Sequence, residues 1–209
     1  MENKITSRLG ELGYLSAGIR LGIKDKETTN IDTPKIKLFN WANIKLFDEK
    51  KITEGVQEYP IRLEQKSKKG EIYIQKGDIV FSSFPSKSSD DNIIYIHEDI
   101  KEKYLYGETM FIFRLVDKYE ENKDIMSKYI YLMLKSGIYN DYISELDVGY
   151  SHRLRPQMIL NIEIPIIDES EMKRKCNQYD EIRNKEIILK QQQQEFITDL
   201  YNINKDYKK

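Results

Sequence analysis

The chain has 209 residues, 39% hydrophobic and 33% charged, with a formal net charge of −1. That length supports one domain with an appendage and a sizeable core, while the composition is polar for a compact globule and implies a long solvated element. The near-neutral balance excludes a uniformly basic nucleic-acid binder, and a single cysteine, Cys176, excludes a disulfide framework.

The N-terminus Met1-Glu-Asn-Lys-Ile-Thr-Ser-Arg8 carries no apolar stretch of signal-peptide type. No window approaches the ~20 apolar residues of a membrane span. A lone cysteine suits a reducing compartment. A cytoplasmic protein with no membrane partner is therefore expected.

Arg8 to Gly18 places three glycines among apolar residues, and alternation at Leu12 and Tyr14 predicts a short strand with turns. Ile19 to Asp32 is polar and reads as a loop. Lys35 to Trp41 alternates as a strand does, and Asn43 to Lys51 reads as a loop or short helix. Alternation predicts another strand over Glu71–Gln75. Lys76-Gly77-Asp78 is a turn before the β-branched and aromatic run Ile79–Phe84. Pro85–Asn92 is a polar loop, and Ile93–Ile96 and Met110–Val116 are further strands. The period then changes: Ile125, Tyr129, Leu132 and Met133 fall at helical spacing ahead of Gly137. A second short helix follows over Tyr139–Leu146. Leu160–Pro165 alternates, and Pro165 ends that strand.

Glu171 to Ile203 holds no glycine or proline. At ~1.5 Å per residue such a helix reaches roughly 50 Å. Met172, Tyr179, Ile182, Leu189, Phe196, Leu200 and Ile203 form a stripe at three-to-four spacing, interrupted by Lys175, Glu186 and Gln193. Such a stripe folds back on its own domain or pairs with another helix. The length favours pairing, with Gln193 as a polar seam position that sets register. The expected fold is therefore α+β: residues 1–168 form a body with a mixed or antiparallel sheet and short helices. Residues 169–209 form a long coiled-coil-forming helix through which two copies would dimerise.

The charge is uneven along the chain. Lys35 to Lys87 holds eleven Lys/Arg and seven Asp/Glu, and Asp90 to Asp147 holds seven and thirteen, nets of +4 and −6. A local basic patch still collects phosphates, because charges beyond a Debye length of roughly 8 Å are screened. Charges scattered over a surface are the plainer reading of the same pattern.

No Gly-rich phosphate loop, His-x-x-His or Cys-x-x-Cys occurs, so no metal or cofactor site is expected. His97 and His152 have no partner at ligand spacing, and Cys176 lies in the terminal helix. The triplets Glu49-Lys-Lys51 and Glu64-Gln-Lys66 have the composition of a metal-dependent nuclease, but no Pro-Asp precedes them at a suitable distance.

Two loops have the chemistry of nucleic-acid contacts. Phe84-Pro-Ser-Lys-Ser-Ser89 offers Ser86, Lys87 and Ser88, groups that typically hold phosphates. Gly149-Tyr-Ser-His-Arg-Leu-Arg155 offers Tyr150, Ser151, His152, Arg153 and Arg155. An arginine fork grips guanine O6 and N7, or a phosphate, bidentately. Lys66, Lys68 and Lys69 add a weaker patch. Each loop alone is equally a solvated turn, and Tyr150 equally a core residue; the occurrence of two such loops on one small domain favours nucleic acid.

In this order the features resemble the specificity subunit of type I restriction–modification systems. Leu9–Gly18 looks like the start of a target recognition domain. Lys76-Gly-Asp-Ile-Val-Phe-Ser-Ser83 looks like the family's glycine–aspartate element before an apolar strand, and Tyr129–Ser136 like its helix. Gly149–Arg155 with Leu160–Pro165 looks like its late turn and the strand entering the spacer helix. Two departures are plain. Family members commonly carry two recognition domains and two helices, whereas this chain has one of each. Its strand also ends in Ile166-Ile-Asp-Glu169 instead of a second proline and a glutamine.

The resemblance implies a non-catalytic reader of double-stranded DNA that needs no cofactor of its own. Its recognition domain takes one half of a split target, through Ser86–Ser88 and Ser151–Arg155. Its helix docks a DNA methyltransferase subunit and, where the assembly cuts, a restriction subunit. A homodimer of half-length chains would read an interrupted palindrome. An interaction or inhibitor module without DNA binding is the alternative.

Overall fold

The computed structural model describes residues 5–19, 35–39, 41, 57–60, 73–85, 92–100, 104–146 and 153–206. The chain divides into two compact units, Met1–Ile166 and Ile167–Lys209. The first holds β1 (Thr6–Arg8), α1 (Leu9–Leu12), β2 (Gly13–Ala17), β3 (Lys35–Phe39), β4 (Gln57–Pro60), β5 (Ile79–Ser82), β6 (Ile93–Tyr95), β7 (Tyr104–Tyr106) and β8 (Met110–Leu115). A 3-10 segment, Asp117–Asn122, leads into α2 (Lys123–Met133), a π turn over Leu134–Ile138, α3 (Tyr139–Glu145), α4 (Pro156–Leu160) and β9 (Glu163–Pro165). The second unit is α5 (Glu169–Asp206).

The central sheet has the order β2-β8-β5-β6 and is antiparallel throughout. Its inner strands are covered on both faces: every residue of β5 and of β8 is buried. Strand alternation sends neighbouring residues to opposite faces. Val80, Met110 and Ile112 join a cluster with Leu38, Ile74, Ile96, Tyr104 and Tyr106 on one side. That side includes β7, which belongs to a second sheet, β4-β3-β7, antiparallel between β3 and β4 and parallel between β3 and β7. On the opposite face the Phe81 ring lies 5.5 Å from the Tyr139 ring of α3. A third, two-stranded sheet pairs β1 with β9, so the first described strand closes on the last of this unit. The Ile166 N–H donates to the Ile5 carbonyl at 2.8 Å, and the Tyr129 hydroxyl of α2 donates to the Pro165 carbonyl at 2.7 Å. The architecture is α+β, as expected.

The Lys76-Gly77-Asp78 turn is tied to the sheet by a buried ion pair. Gly77 has φ +85°, a conformation that side-chain-bearing residues rarely adopt. Asp78 is completely buried. Arg114 on β8 donates from Nε to Oδ1 and from Nη2 to Oδ2, both at 2.8 Å. Its Nη2 also donates to the Tyr73 carbonyl at 2.8 Å, and the Gln75 N–H donates to Asp78 Oδ2 at 2.8 Å. Burial pushes the Asp78 carboxyl above its usual range, while the Arg114 bonds pull against it. Burial opposes the Arg114 charge too, but the Asp78 hydrogen bonds and attraction outweigh it and hold the guanidinium above its ordinary value. The glycine–aspartate element is therefore a structural clasp.

Several sequence expectations are corrected. Tyr73–Gln75 is irregular chain, not the end of a strand. The Ile74 N–H is taken by the Tyr104 carbonyl and that of Gln75 by Asp78, so no neighbouring strand pairs regularly there. The expected strand over Leu160–Pro165 shrinks to Glu163–Pro165, because Pro156 opens the one-turn helix α4. Leu9–Leu12 is a helical turn ahead of β2. Gly18 lets this region pack closely: its N–H donates to the Met110 carbonyl at 3.1 Å, and a Cβ there would collide with the Gly107 backbone. Trp41 and the strand Lys35–Phe39 are described, whereas 43–51 lies outside the described residues.

The terminal helix begins at Glu169. Asp168 caps it: its Oδ1 accepts from the Glu171 N–H at 3.0 Å and from the Ser170 hydroxyl. Arg174 grips Glu171 through Nε at 2.7 Å and Nη2 at 2.6 Å, and Lys173 pairs with Glu169.

Candidate nucleic-acid interface

The end of β5 is where the described ends of the two expected contact loops lie side by side. The Ser82 N–H donates to the Asn92 carbonyl at 2.9 Å, and the Ser83 N–H to the Thr109 carbonyl at 2.8 Å. The Ser83 carbonyl in turn accepts from the Leu154 N–H at 2.9 Å. Leu154 is buried and anchors the segment between Arg153 and Arg155. These bonds set three pieces of chain side by side: Ser82–Pro85, the β7–β8 turn at Gly107–Thr109, and Arg153–Arg155. The described ends that flank residues 86–91 and 147–152 are thus adjacent, although Ser83 and Leu154 are far apart in sequence.

Exposed side chains sit on this frame. The Phe84 N–H donates to the Ser82 hydroxyl at 3.2 Å, which turns the chain as it leaves β5. The Phe84 ring is 49% exposed, a large value for an aromatic beside a buried strand. Arg153 lies over it, with Cζ 5.6 Å from the ring centroid, and its Nη2 donates to the Glu108 carbonyl at 3.2 Å. Two contacts therefore hold the guanidinium of a residue that is otherwise exposed. Arg155 is exposed as well, and among the described residues none holds its guanidinium.

Of the expected contact residues, Arg153 and Arg155 are both exposed, on either side of the buried Leu154. Lys66, Lys68, Ser86, Lys87, Ser88, Tyr150, Ser151 and His152 lie outside the described residues, as do Glu49 and Glu64. Two contributors escape the sequence reading. The residue pattern makes Phe84 the last member of an apolar strand; the signal that it leaves the sheet is Pro85, which biases the preceding backbone and cannot continue a ladder. Glu108 contributes a backbone carbonyl, which no residue type betrays. Among the described residues there is no group of three or more His, Cys, Asp or Glu able to hold a metal ion.

On α5, the expected seam residues Ile182, Leu189, Phe196 and Leu200 are between 49% and 63% exposed. Ile188, Ile197 and Tyr201, which the seam left out, are exposed too and widen the apolar surface. Gln193 is exposed among them, Tyr179 is half-buried, and Met172 and Cys176 are buried. Ile203 lies within the helix. Among the described residues no helix is long and apolar enough to cross a membrane.

No protein-family model matches the chain, and no curated protein does. Solved structures do. A chain from a study of complex assembly and conformational transition of the type I R-M system superposes with a TM-score of 0.56 at 15% identity, covering 97% of this chain and 44% of that one. The HsdS subunit from Thermoanaerobacter tengcongensis gives 0.55 at 14% identity, covering 88% and 43%. The type I restriction-modification S subunit from M. genitalium gives 0.49 at 14%, covering 87% and 39%. The chain spans less than half the length of each. Its fold is that of the specificity subunits of type I restriction–modification systems.

Proposed function

We propose that this chain is a non-catalytic, sequence-reading subunit of a type I restriction–modification or related DNA methyltransferase assembly. The body, residues 1–168, reads one half-site of double-stranded DNA. The helix, residues 169–209, joins two copies and docks the methyltransferase subunit. The observation that carries this reading is the convergence at the end of β5. Ser83 bonds to both the β7–β8 turn and Leu154, so the described ends of the lysine-bearing and the arginine-bearing segment lie side by side. Lysines would collect phosphates and set register, and the arginine turn with its Ser and His groups would reach base edges, each good base contact adding ~1–3 kcal/mol of discrimination. A two-fold pair of such readers matches an interrupted palindrome.

The test is selection of binding sites from a randomised duplex pool by the full chain. The wild type is expected to enrich a sequence, and Arg153→Ala or Arg155→Ala to weaken binding with little change in thermal midpoint. Equal affinity of wild type and both variants for the enriched duplex removes the assignment. Purification from the native host, with recovery of a methyltransferase, tests the partner. The apolar surface of α5 favours one other reading, an interaction module without DNA binding, which predicts tight association with a methyltransferase and no retained duplex at low salt.

A further inference from the structure

Arg153 and Arg155 are neighbours in sequence but not in circumstance. Arg155 is exposed, and no described residue holds its guanidinium. Arg153 is held twice, by the Glu108 carbonyl at 3.2 Å and over the Phe84 ring at 5.6 Å. Both holders are themselves fixed. Phe84 follows a strand whose four residues are all buried, and its N–H is tied to the Ser82 hydroxyl. Glu108 sits in a turn whose next residue accepts from Ser83. A free arginine has several rotatable bonds to freeze before it can make a bidentate contact, and holding it in advance lowers that cost. An aromatic left half exposed at the rim of a buried sheet forgoes part of the stabilisation that full burial would give.

We propose that Phe84 is a positioning residue that presets Arg153 as the base-reading arginine of this face, leaving Arg155 to hold a phosphate. Phe84 acts through the flat face it offers to the guanidinium, which a branched aliphatic side chain lacks. The Glu108 carbonyl holds the same group at a second point, through Nη2. The assignment of roles rests on the DNA reading given above. It narrows that reading, which sends both arginines to base edges: here only Arg153 reads a base, and a residue with no hydrogen-bonding side chain controls sequence preference.

The experiment uses the full chain, a randomised duplex pool read by sequencing, and a salt titration on the enriched duplex and on a scrambled one. Phe84→Leu is expected to lower preference at one base position roughly three- to fivefold, the scale of an exposed cation–π contact. Phe84→Tyr, which keeps the ring, is expected to keep the preference. Arg153→Lys removes the planar fork and is expected to lose preference at that same position, and adding Phe84→Leu to it should cost nothing more. Arg155→Ala should weaken enriched and scrambled duplexes alike and reduce the slope of log affinity against log salt by about one. A merely structural role for Phe84 would instead weaken every duplex evenly and lower the thermal midpoint. If Phe84→Leu does not fold, the Arg153→Lys and Arg155→Ala contrast decides the roles alone. The inference is overturned if Phe84→Leu enriches the same sequence with the same preference, or if Arg153→Lys changes the salt slope and Arg155→Ala the consensus. A wild-type chain that enriches nothing overturns the DNA reading itself and this inference with it.

Discussion

Removing the Asp78 carboxylate strands a buried cation, and the consequence is large enough to measure. Asp78 is 0% exposed and the Arg114 side chain 9% exposed. The Arg114 guanidinium spends two of its hydrogen bonds on Asp78 and one on the Tyr73 carbonyl. In Asp78→Ala both bonds to the carboxylate are lost with its charge, and the Gln75 N–H loses its acceptor as well. Breaking a buried pair from one side costs ~3–5 kcal/mol, because the surviving charge is neither solvated nor paired. At ~2–4 °C per kcal/mol for a chain of this size, the thermal midpoint should fall by roughly 6–20 °C. Asp78→Asn keeps an acceptor for Arg114 and should lie in between. Replacing both partners, Asp78→Leu with Arg114→Met, removes the stranded charge and should return most of the loss, to within ~1–2 kcal/mol of wild type. Urea denaturation of wild type, each single variant and the double variant, followed by far-ultraviolet circular dichroism, provides the double-mutant cycle. A cost below about 1 kcal/mol for Asp78→Ala, or a double variant as unstable as the sum of the singles, would refute the clasp.

Further outcomes follow from single positions. Gly77 holds φ +85°, and a methyl placed there would meet nothing nearer than 3.9 Å, so Gly77→Ala carries only the backbone cost, ~1–2 kcal/mol, visible as a lower melting midpoint. The Asp168 carboxyl is held below its usual value of 3.8 by the Ser170 hydroxyl and then the Glu171 N–H. A depressed folded pKa contributes stability that is present above the unfolded value and lost as pH falls through the folded one. Wild type minus Asp168→Asn stability, measured from pH 7 downward, should therefore be flat and then shrink below about pH 4. A difference that grows on acidification contradicts the cap. Leu189→Lys combined with Phe196→Lys places charges on side chains that are 63% and 62% exposed. Sedimentation should find a wild-type dimer and a monomeric variant with unchanged helicity; a monomeric wild type removes helix-mediated pairing.

What was legible in the sequence was whatever depends on near neighbours. The long helix could be read because 38 residues from Glu169 to Asp206 carry no glycine or proline and are mostly polar. The strands β5 and β8 could be read from the apolar runs Ile79–Phe81 and Met110–Phe113, since strands covered on both faces need no alternation. The turn at Gly77 announced itself by residue type. Bonds between distant residues were not legible. Asp78 finds its counter-charge 36 positions away. Tyr73–Gln75 has a strand's alternation, yet its N–H groups go to Tyr104 and Asp78. Leu160–Ile162 alternates, yet Pro156 winds the chain just before it into α4. Ser83 and Leu154 meet through a single backbone bond, which places Phe84 under Arg153. Periodicity encodes which face of an element is apolar, because that depends on side chains a few residues apart. Which loops share a face is set by how the sheet closes, through backbone groups that every residue carries alike, and only the tertiary structure decides it.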